Sequence, residues 1–206
     1  PTNRVGGGLL DKFKSESHIY QMYSLDNTYS NEELESWYTR ASKILNIKDF
    51  EFCCELKYDG ASVNLLYENG KLLRALTRGD GTQGDNITSN LKTIRSVPLN
   101  IDNSFLKKFE IRGEIIIRND SFNQLNRKRE ELGEPIFKNP RNTASGSIKL
   151  LDSKEVARRP LQCFLYSIVS DKVKMKNHSE LLDIARDMGF NVPKYEKVVD
   201  GLNGVK

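Results

Sequence analysis

"ELKYDGASVNLLYENGKLLRALTRGDG", residues 55–81, decides how the fold is read. Its apolar residues form two runs on either side of Asn69-Gly70, a dipeptide suited to the two-residue turn whose twist matches a pair of antiparallel strands. Just upstream, "FEFCCELK" (50–57) alternates with the period of two that a half-buried strand requires. This predicts one strand running through Glu55 and Lys57, then a hairpin. Lys57 stands at the junction, beside Asp59 and Gly60. A lysine at a strand edge has an ordinary use, with its stem along apolar surface and its ammonium in water. It also has a chemical use as a covalent nucleophile, which demands a neutral amine. At an ordinary pKa of about 10.4, only about one amine in a thousand is uncharged near neutral pH, a cost of roughly 4 kcal/mol. A site offsets that cost by desolvation, by nearby cations or by a metal ion on a bound phosphate.

Working outward, Ser30 is a candidate N-cap with Glu33 three residues on, and Leu34, Trp37, Tyr38, Ala41 and Leu45 recur at helical spacing. A helix is predicted from Asn31 to Leu45. "PTNRVGGG" (1–8) reads as an irregular arm. After the hairpin, "DGTQGDNITSNLKTIRSVP" (80–98) supplies a Gly/Asp loop, a short helix and a proline stop, and "KKFEIRGEIIIRN" (107–119) is a strand. "SFNQLNRKREELG" (121–133) predicts a helix capped by Ser121 and closed by Gly133. "FKNPRNTASGSIKLLDSKEVARRP" (137–160) reads as a loop entering one short helix, "LQCFLYSIV" (161–169) as a strand, and "SELLDIARDMGFNVPKY" (179–195) as an amphipathic helix closed by Gly189. The organisation is α+β, with mostly antiparallel sheets flanked by helices.

With 206 residues, 29% charged and 37% hydrophobic, the chain can bury a core, and no apolar run approaches a membrane span. The net charge of +4 leans weakly toward polyanionic partners. Cys53, Cys54 and Cys163 form neither a disulfide framework nor a zinc set, which fits a reducing cytoplasm. "PTNRVGGGLLDKFK" (1–14) lacks the apolar centre of a signal peptide. The missing initial Met and the abrupt end at "VVDGLNGVK" suggest a piece of something longer.

"ELKYDG" followed in order by "TRGDGTQGDNIT" (77–88), "IRGE" (111–114) and "NPRNTASGS" (139–147) resembles the adenylation domain of the bacterial NAD-dependent DNA ligases, members of the covalent nucleotidyltransferases. The resemblance runs almost from end to end. It implies the DNA ligase/mRNA capping enzyme-like fold, incomplete here. It also implies an arm and helix over 1–48 and a catalytic core over 49–206 that stops before the family's two downstream lysines. The implied reaction has three steps. Lysine attacks the adenylyl phosphorus of NAD and releases nicotinamide mononucleotide; AMP passes to the 5′-phosphate of a nick in double-stranded DNA; the 3′-hydroxyl then displaces AMP. Mg²⁺ or Mn²⁺ is expected with the phosphates, and zinc only in the parent protein's C-terminal part. A cytoplasmic bacterial monomer serving replication and repair follows, without membrane attachment.

By the same resemblance Lys57 matches the nucleophile, and Asp59 orients it or assists the metal. Glu55, on the face of Lys57, accepts from the adenine amine, and Ser24 and Leu25 of "SLDN" contact the nucleotide. Arg78 reaches phosphate or ribose, Glu114 the ribose hydroxyls, and Tyr166 stacks on adenine. Arg141 and Lys149 face DNA phosphates; Lys149 stands where a known relative has arginine, keeping the charge without the bidentate fork. Bland alternatives remain for each: a turn for Asp59-Gly60, an exposed strand carboxylate for Glu55, a structural ion pair for Arg78, core filling for Tyr166. For the whole chain the alternatives are an ATP-dependent ligase or capping-type enzyme, and a non-catalytic nucleic-acid module using Arg127, Lys128, Arg129, Lys138 and Arg141.

Overall fold

The computed structural model describes residues 12–102, 106–173 and 177–206. Its elements are β1 (Ser15–Ser17), α1 (Asn31–Leu45), β2 (Glu51–Glu55), β3 (Ala61–Glu68), β4 (Lys71–Thr77), β5 (Gln83–Asp85), α2 (Thr88–Leu91), β6 (Lys108–Ile117), α3 (Asn119–Glu131), α4 (Pro140–Ile148), α5 (Ser153–Ala157), β7 (Leu161–Val169), α6 (His178–Asp187), β8 (Glu196–Asp200) and α7 (Gly201–Val205). All paired strands are antiparallel, in one four-stranded sheet, β4-β3-β6-β7, and two two-stranded ones, β1-β5 and β2-β8. The described residues divide into two units, one of those up to Met22 with Tyr58–Val192, the other of Tyr23–Lys57 with Pro193–Lys206.

In the larger unit Asn69 and Gly70 take φ of 50° and 74° and turn β3 into β4, as their left-handed preference demands. The sheet alternates between an apolar and a polar face, with a register shift in the β3–β4 pairing and another in the β6–β7 pairing. Val63 and Leu65 of β3, Ile111 and Ile115 of β6, and Cys163 and Leu165 of β7 lie on one face with no exposure. Tyr67 and Phe109 stack at 5.5 Å at one end of that face, with Phe190 edge-on to both. The helices of this unit pack on the strands, α4 against β3 and β6, α6 against β7, α2 against β4. The opposite face carries polar residues: Ser62 and Asn64 of β3, Glu110, Arg112 and Glu114 of β6. Gly60, ahead of β3, comes so close to β6 that a methyl there would overlap the Ile115 carbonyl oxygen. The glycine of "KYDG" thus serves the protein's own backbone.

The smaller unit pairs β2 with β8 and joins α1 to them through Tyr38, stacked on Phe50 at 5.0 Å, and Trp37 beside Phe52. Helix α1 runs over the expected residues, with Ser30 Oγ accepting from the Glu33 N–H. Its apolar stripe is only partly covered, since no α1 residue is buried. Helix α1 shares its unit with β2.

Several local expectations need correction. The strand holding Glu55 stops there, because its partner β8 starts at Glu196, opposite Glu55, and offers nothing to residues 56 and 57. Lys57 is therefore beyond the strand, and the same-face relation to Glu55 lapses. Helix α3 begins at Asn119, before Ser121; the Asp120 carboxylate accepts the Ser121 N–H instead. Residues 137–160 hold two helices: Asn139 caps α4 by accepting from the Asn142 N–H, with Pro140 in its first turn, and Asp152 caps α5. The short strands β1, β5 and β8 were not anticipated, and "PTNRVGGG" lies outside the described residues. Gly133 and Gly189 close α3 and α6 as expected, both at positive φ.

The loop after β4 is tied by Asp80, whose Oδ1 accepts from the Gln83 N–H, the Thr82 N–H and the Thr82 hydroxyl. These bonds, the Gln83 amide first, hold its carboxyl down at about 2. The folded value lies below the ordinary one, so this stabilisation is complete above about pH 4 and is lost as pH falls toward about 2. In denaturant titrations Asp80→Ala should be less stable than the parent at pH 6, with the gap closing across that acid window. Gly60→Ala should cost about 1–3 kcal/mol or more in the same measurement, because a backbone carbonyl has nowhere to yield.

Candidate functional site

The polar face of the four-stranded sheet is covered at one end and half-open at the other. The covering segment is the chain just after β1. Ile19 and Tyr20 donate their N–H groups to the Glu110 carboxylate at 2.9 and 3.3 Å, and Arg112 Nη2 donates to the carbonyls of Tyr20 and Gln21. His18 meets Asn64, and Arg74 pairs with Glu16 at 2.8 Å. Glu110, at 1% exposure, is thus a buried carboxylate supplied with donors, as its burial requires. Past the covered end, Ser62, Glu114 and Phe164 lie in register across β3, β6 and β7, all half-buried.

Tyr166 joins them through a bulge. The β6–β7 register shifts between Arg112 and Gly113, so Tyr166 has no partner of its own and Ser167 opposes Arg112. A bulge of this kind re-aims a side chain. Burial pushes the Tyr166 phenol up, a hydrogen bond with Ser62 opposes, and the Glu114 carboxylate adds to the rise. Glu114, Tyr166 and Ser62 are therefore electrostatic neighbours. Tyr58, the residue after Lys57, stacks on Phe164 at 4.5 Å.

Arg78, just beyond β4, is exposed, and its backbone is fixed from two sides: its N–H donates to the Ser62 carbonyl of β3 and its own carbonyl accepts from the Gly81 N–H of the loop. Asp59, also exposed, pairs with Arg141 of α4 at 3.1 Å. A proposed catalytic residue and a proposed DNA contact thus meet directly. Lys149, at the end of α4, pairs with Asp85 at 2.7 Å. Asn90, buried in α2, donates to the carbonyls of Ile148 and Leu150 on either side of Lys149 and so fixes where that lysine starts.

The remaining candidates, Ser24, Leu25, Glu55 and Lys57, belong to the smaller unit. Ser24 and Leu25 are exposed in irregular chain before α1, Glu55 ends β2 half-buried, and Lys57 is exposed two residues on. Sequence reasoning missed Ser62, Asn64, Asn90, Phe164 and His18. Only His18 carried a signal, one of two histidines in the chain, within the polar stretch "SESHIYQM". Cys163 is core: burial pushes its thiol far up, which makes it inert. Among the described residues no three His, Cys, Asp or Glu side chains gather as a metal-ligand set, and no helix is long and apolar enough to cross a membrane.

These positions can be set against known proteins. Residues 10–206 match the family described as NAD-dependent DNA ligase adenylation domain. A DNA ligase of Christiangramia forsetii is 53% identical over 205 residues, one of Flavobacterium psychrophilum 51% over 205, and one of Campylobacter fetus 44% over 206. In each case the whole chain is covered but only 31% of the relative, so the chain spans about a third of the length of the ligases it matches. On the strength of the match from residue 10 to residue 206, the chain belongs to the NAD-dependent DNA ligase adenylation domain family.

Proposed function

We propose that this chain is the part of an NAD-dependent DNA ligase that takes up AMP and hands it on, with the covalent nucleotidyltransferase fold of ligases and capping enzymes. The observation that carries this reading is the family match, which runs unbroken through "ELKYDG", "IRGE" and "NPRNTASGS". Lys57 Nζ attacks the adenylyl phosphorus of NAD. The bond from that phosphorus to the bridging oxygen breaks, nicotinamide mononucleotide leaves with the electron pair, and the amine gives up a proton. A 5′-phosphate oxygen at a nick in double-stranded DNA then attacks the same phosphorus and frees Lys57. The 3′-hydroxyl finally displaces AMP to close the strand. Because Lys57 is exposed, the removal of water that favours a neutral amine has to come with the donor.

The other roles follow the chemistry of each group. Tyr166 offers a ring for stacking and Glu114 a carboxylate for ribose hydroxyls, and both stand on the half-open polar face. Arg78 offers a guanidinium to phosphate or ribose, Glu55 accepts from the adenine amine, and Ser24 and Leu25 contact the nucleotide. Asp59 orients the lysine or assists the metal. Mg²⁺ or Mn²⁺ accompanies the donor's phosphates. Arg141 and Lys149 hold DNA phosphates and carry no sequence information. The parent protein acts as a cytoplasmic monomer in replication and repair.

Given NAD and Mg²⁺, the chain extended to the length of its relatives should gain one AMP by mass spectrometry, mapped to Lys57, and Lys57→Ala should abolish the gain. AMP on another lysine, or labelling from ATP in place of NAD, would overturn the assignment. A nucleic-acid module without catalysis predicts nick binding and no adduct. Arg141→Ala and Lys149→Ala should each weaken nick binding evenly across sequences and lower the slope of log K against log salt by up to about one, measured by fluorescence anisotropy.

A further inference from the structure

His18 is buried on the segment after β1, and both of its ring nitrogens are engaged. Nε2 lies 3.0 Å from the Arg78 carbonyl oxygen. A carbonyl can only accept, so Nε2 carries the proton, and in the neutral ring Nδ1 is left bare. Nδ1 then accepts from Asn64 Nδ2 at 3.0 Å, on a side chain only 2% exposed. One tautomer is thereby selected, and the ring is aimed at one backbone atom.

That atom belongs to Arg78. Its carbonyl accepts a second bond from the Gly81 N–H at 3.0 Å, and its N–H donates to the Ser62 carbonyl at 3.1 Å. Both main-chain groups of Arg78 are therefore fixed while its guanidinium stays exposed. The same segment grips the loop twice more, through the His18 N–H on the Thr82 carbonyl at 2.9 Å and the Met22 N–H on the Gly81 carbonyl at 2.8 Å. It is held down in turn by Glu110 and Arg112. A histidine placed only to fill space would not need its proton directed at this carbonyl, with a buried amide enforcing the tautomer.

We infer that His18 is a positioning residue for the adenylation reaction: with Asn64 it fixes the backbone from which Arg78 presents its guanidinium to the dinucleotide's phosphate or ribose. The inference rests on the proposed role of Arg78. In this role His18 acts through the main chain of Arg78.

The test measures the release of nicotinamide mononucleotide against NAD concentration in the chain extended to the length of its relatives. Arg78→Ala should raise KM for NAD. His18→Ala should raise the same KM about tenfold, the worth of one lost hydrogen bond, with kcat little changed. His18→Gln, whose side-chain amide can donate to the same carbonyl, should restore most of the affinity. The double variant His18→Ala/Arg78→Ala should be no worse than Arg78→Ala alone. If His18→Ala does not fold, Asn64→Leu, which removes the donor to Nδ1, should give a smaller rise in KM. A His18→Ala defect that adds to that of Arg78→Ala, a loss that Gln does not rescue, or an unchanged KM in Asn64→Leu overturns the inference and leaves the role of Arg78 standing. An unchanged KM in Arg78→Ala removes both.

Discussion

A carboxylate taken out of water has to be given donors, and the central strand β6 carries Glu110, Arg112 and Glu114 along one face while Ile111 and Ile115 fill the other. This constraint shapes the larger unit. The apolar face can be covered by any well-fitting hydrophobic surface, but the polar face needs partners of defined geometry. At one end the chain after β1 supplies them from its backbone, with amides for Glu110 and carbonyls for Arg112. At the other end Tyr166 and Ser62 are hydrogen-bonded to each other beside Glu114, and the face stays half-open. The same alternation that builds the core thus leaves a polar shelf on its reverse.

The ion pairs around this shelf differ in weight. Asp59–Arg141 joins side chains 71% and 62% exposed, and Asp85–Lys149 joins side chains 31% and 49% exposed. Pairs so wet contribute about 0–1 kcal/mol each. An incoming phosphate can take either cation from its aspartate at little cost, whereas the bonds to Glu110 are shielded. What holds the fold and what remains available for anions are thereby separated by burial alone.

Much of this was legible in the residues because local chemistry decided it. Asn69-Gly70 fixed the hairpin, Ser30 the start of α1, and Gly133 and Gly189 the ends of two helices, each through a backbone preference that tertiary contacts reinforce. The family was legible too, from four short motifs in order. Long-range facts were not. That β2 ends at Glu55 depends on where β8 begins, some 140 residues later, as its register with Glu196 makes plain. That Glu110 needs amides from Ile19 and Tyr20, or that Asp59 meets Arg141, follows from topology that no window of sequence contains. Ser121 misled because a serine ahead of an apolar run looks like a cap wherever the helix starts.

The bulge at Tyr166 has an effect that reaches along the rest of its strand. Before it, Leu161, Cys163 and Leu165 are the inward residues; after it, the inward residue is Ile168, three places on instead of two. The extra position works as a phase slip, letting two consecutive side chains face outward without throwing the following isoleucine into solvent. Deleting one residue here would restore plain alternation and keep Ile168 facing inward, whereas deleting two would invert everything downstream on the strand. The strand can therefore give up its one extra position and keep its core face, but it cannot give up a second.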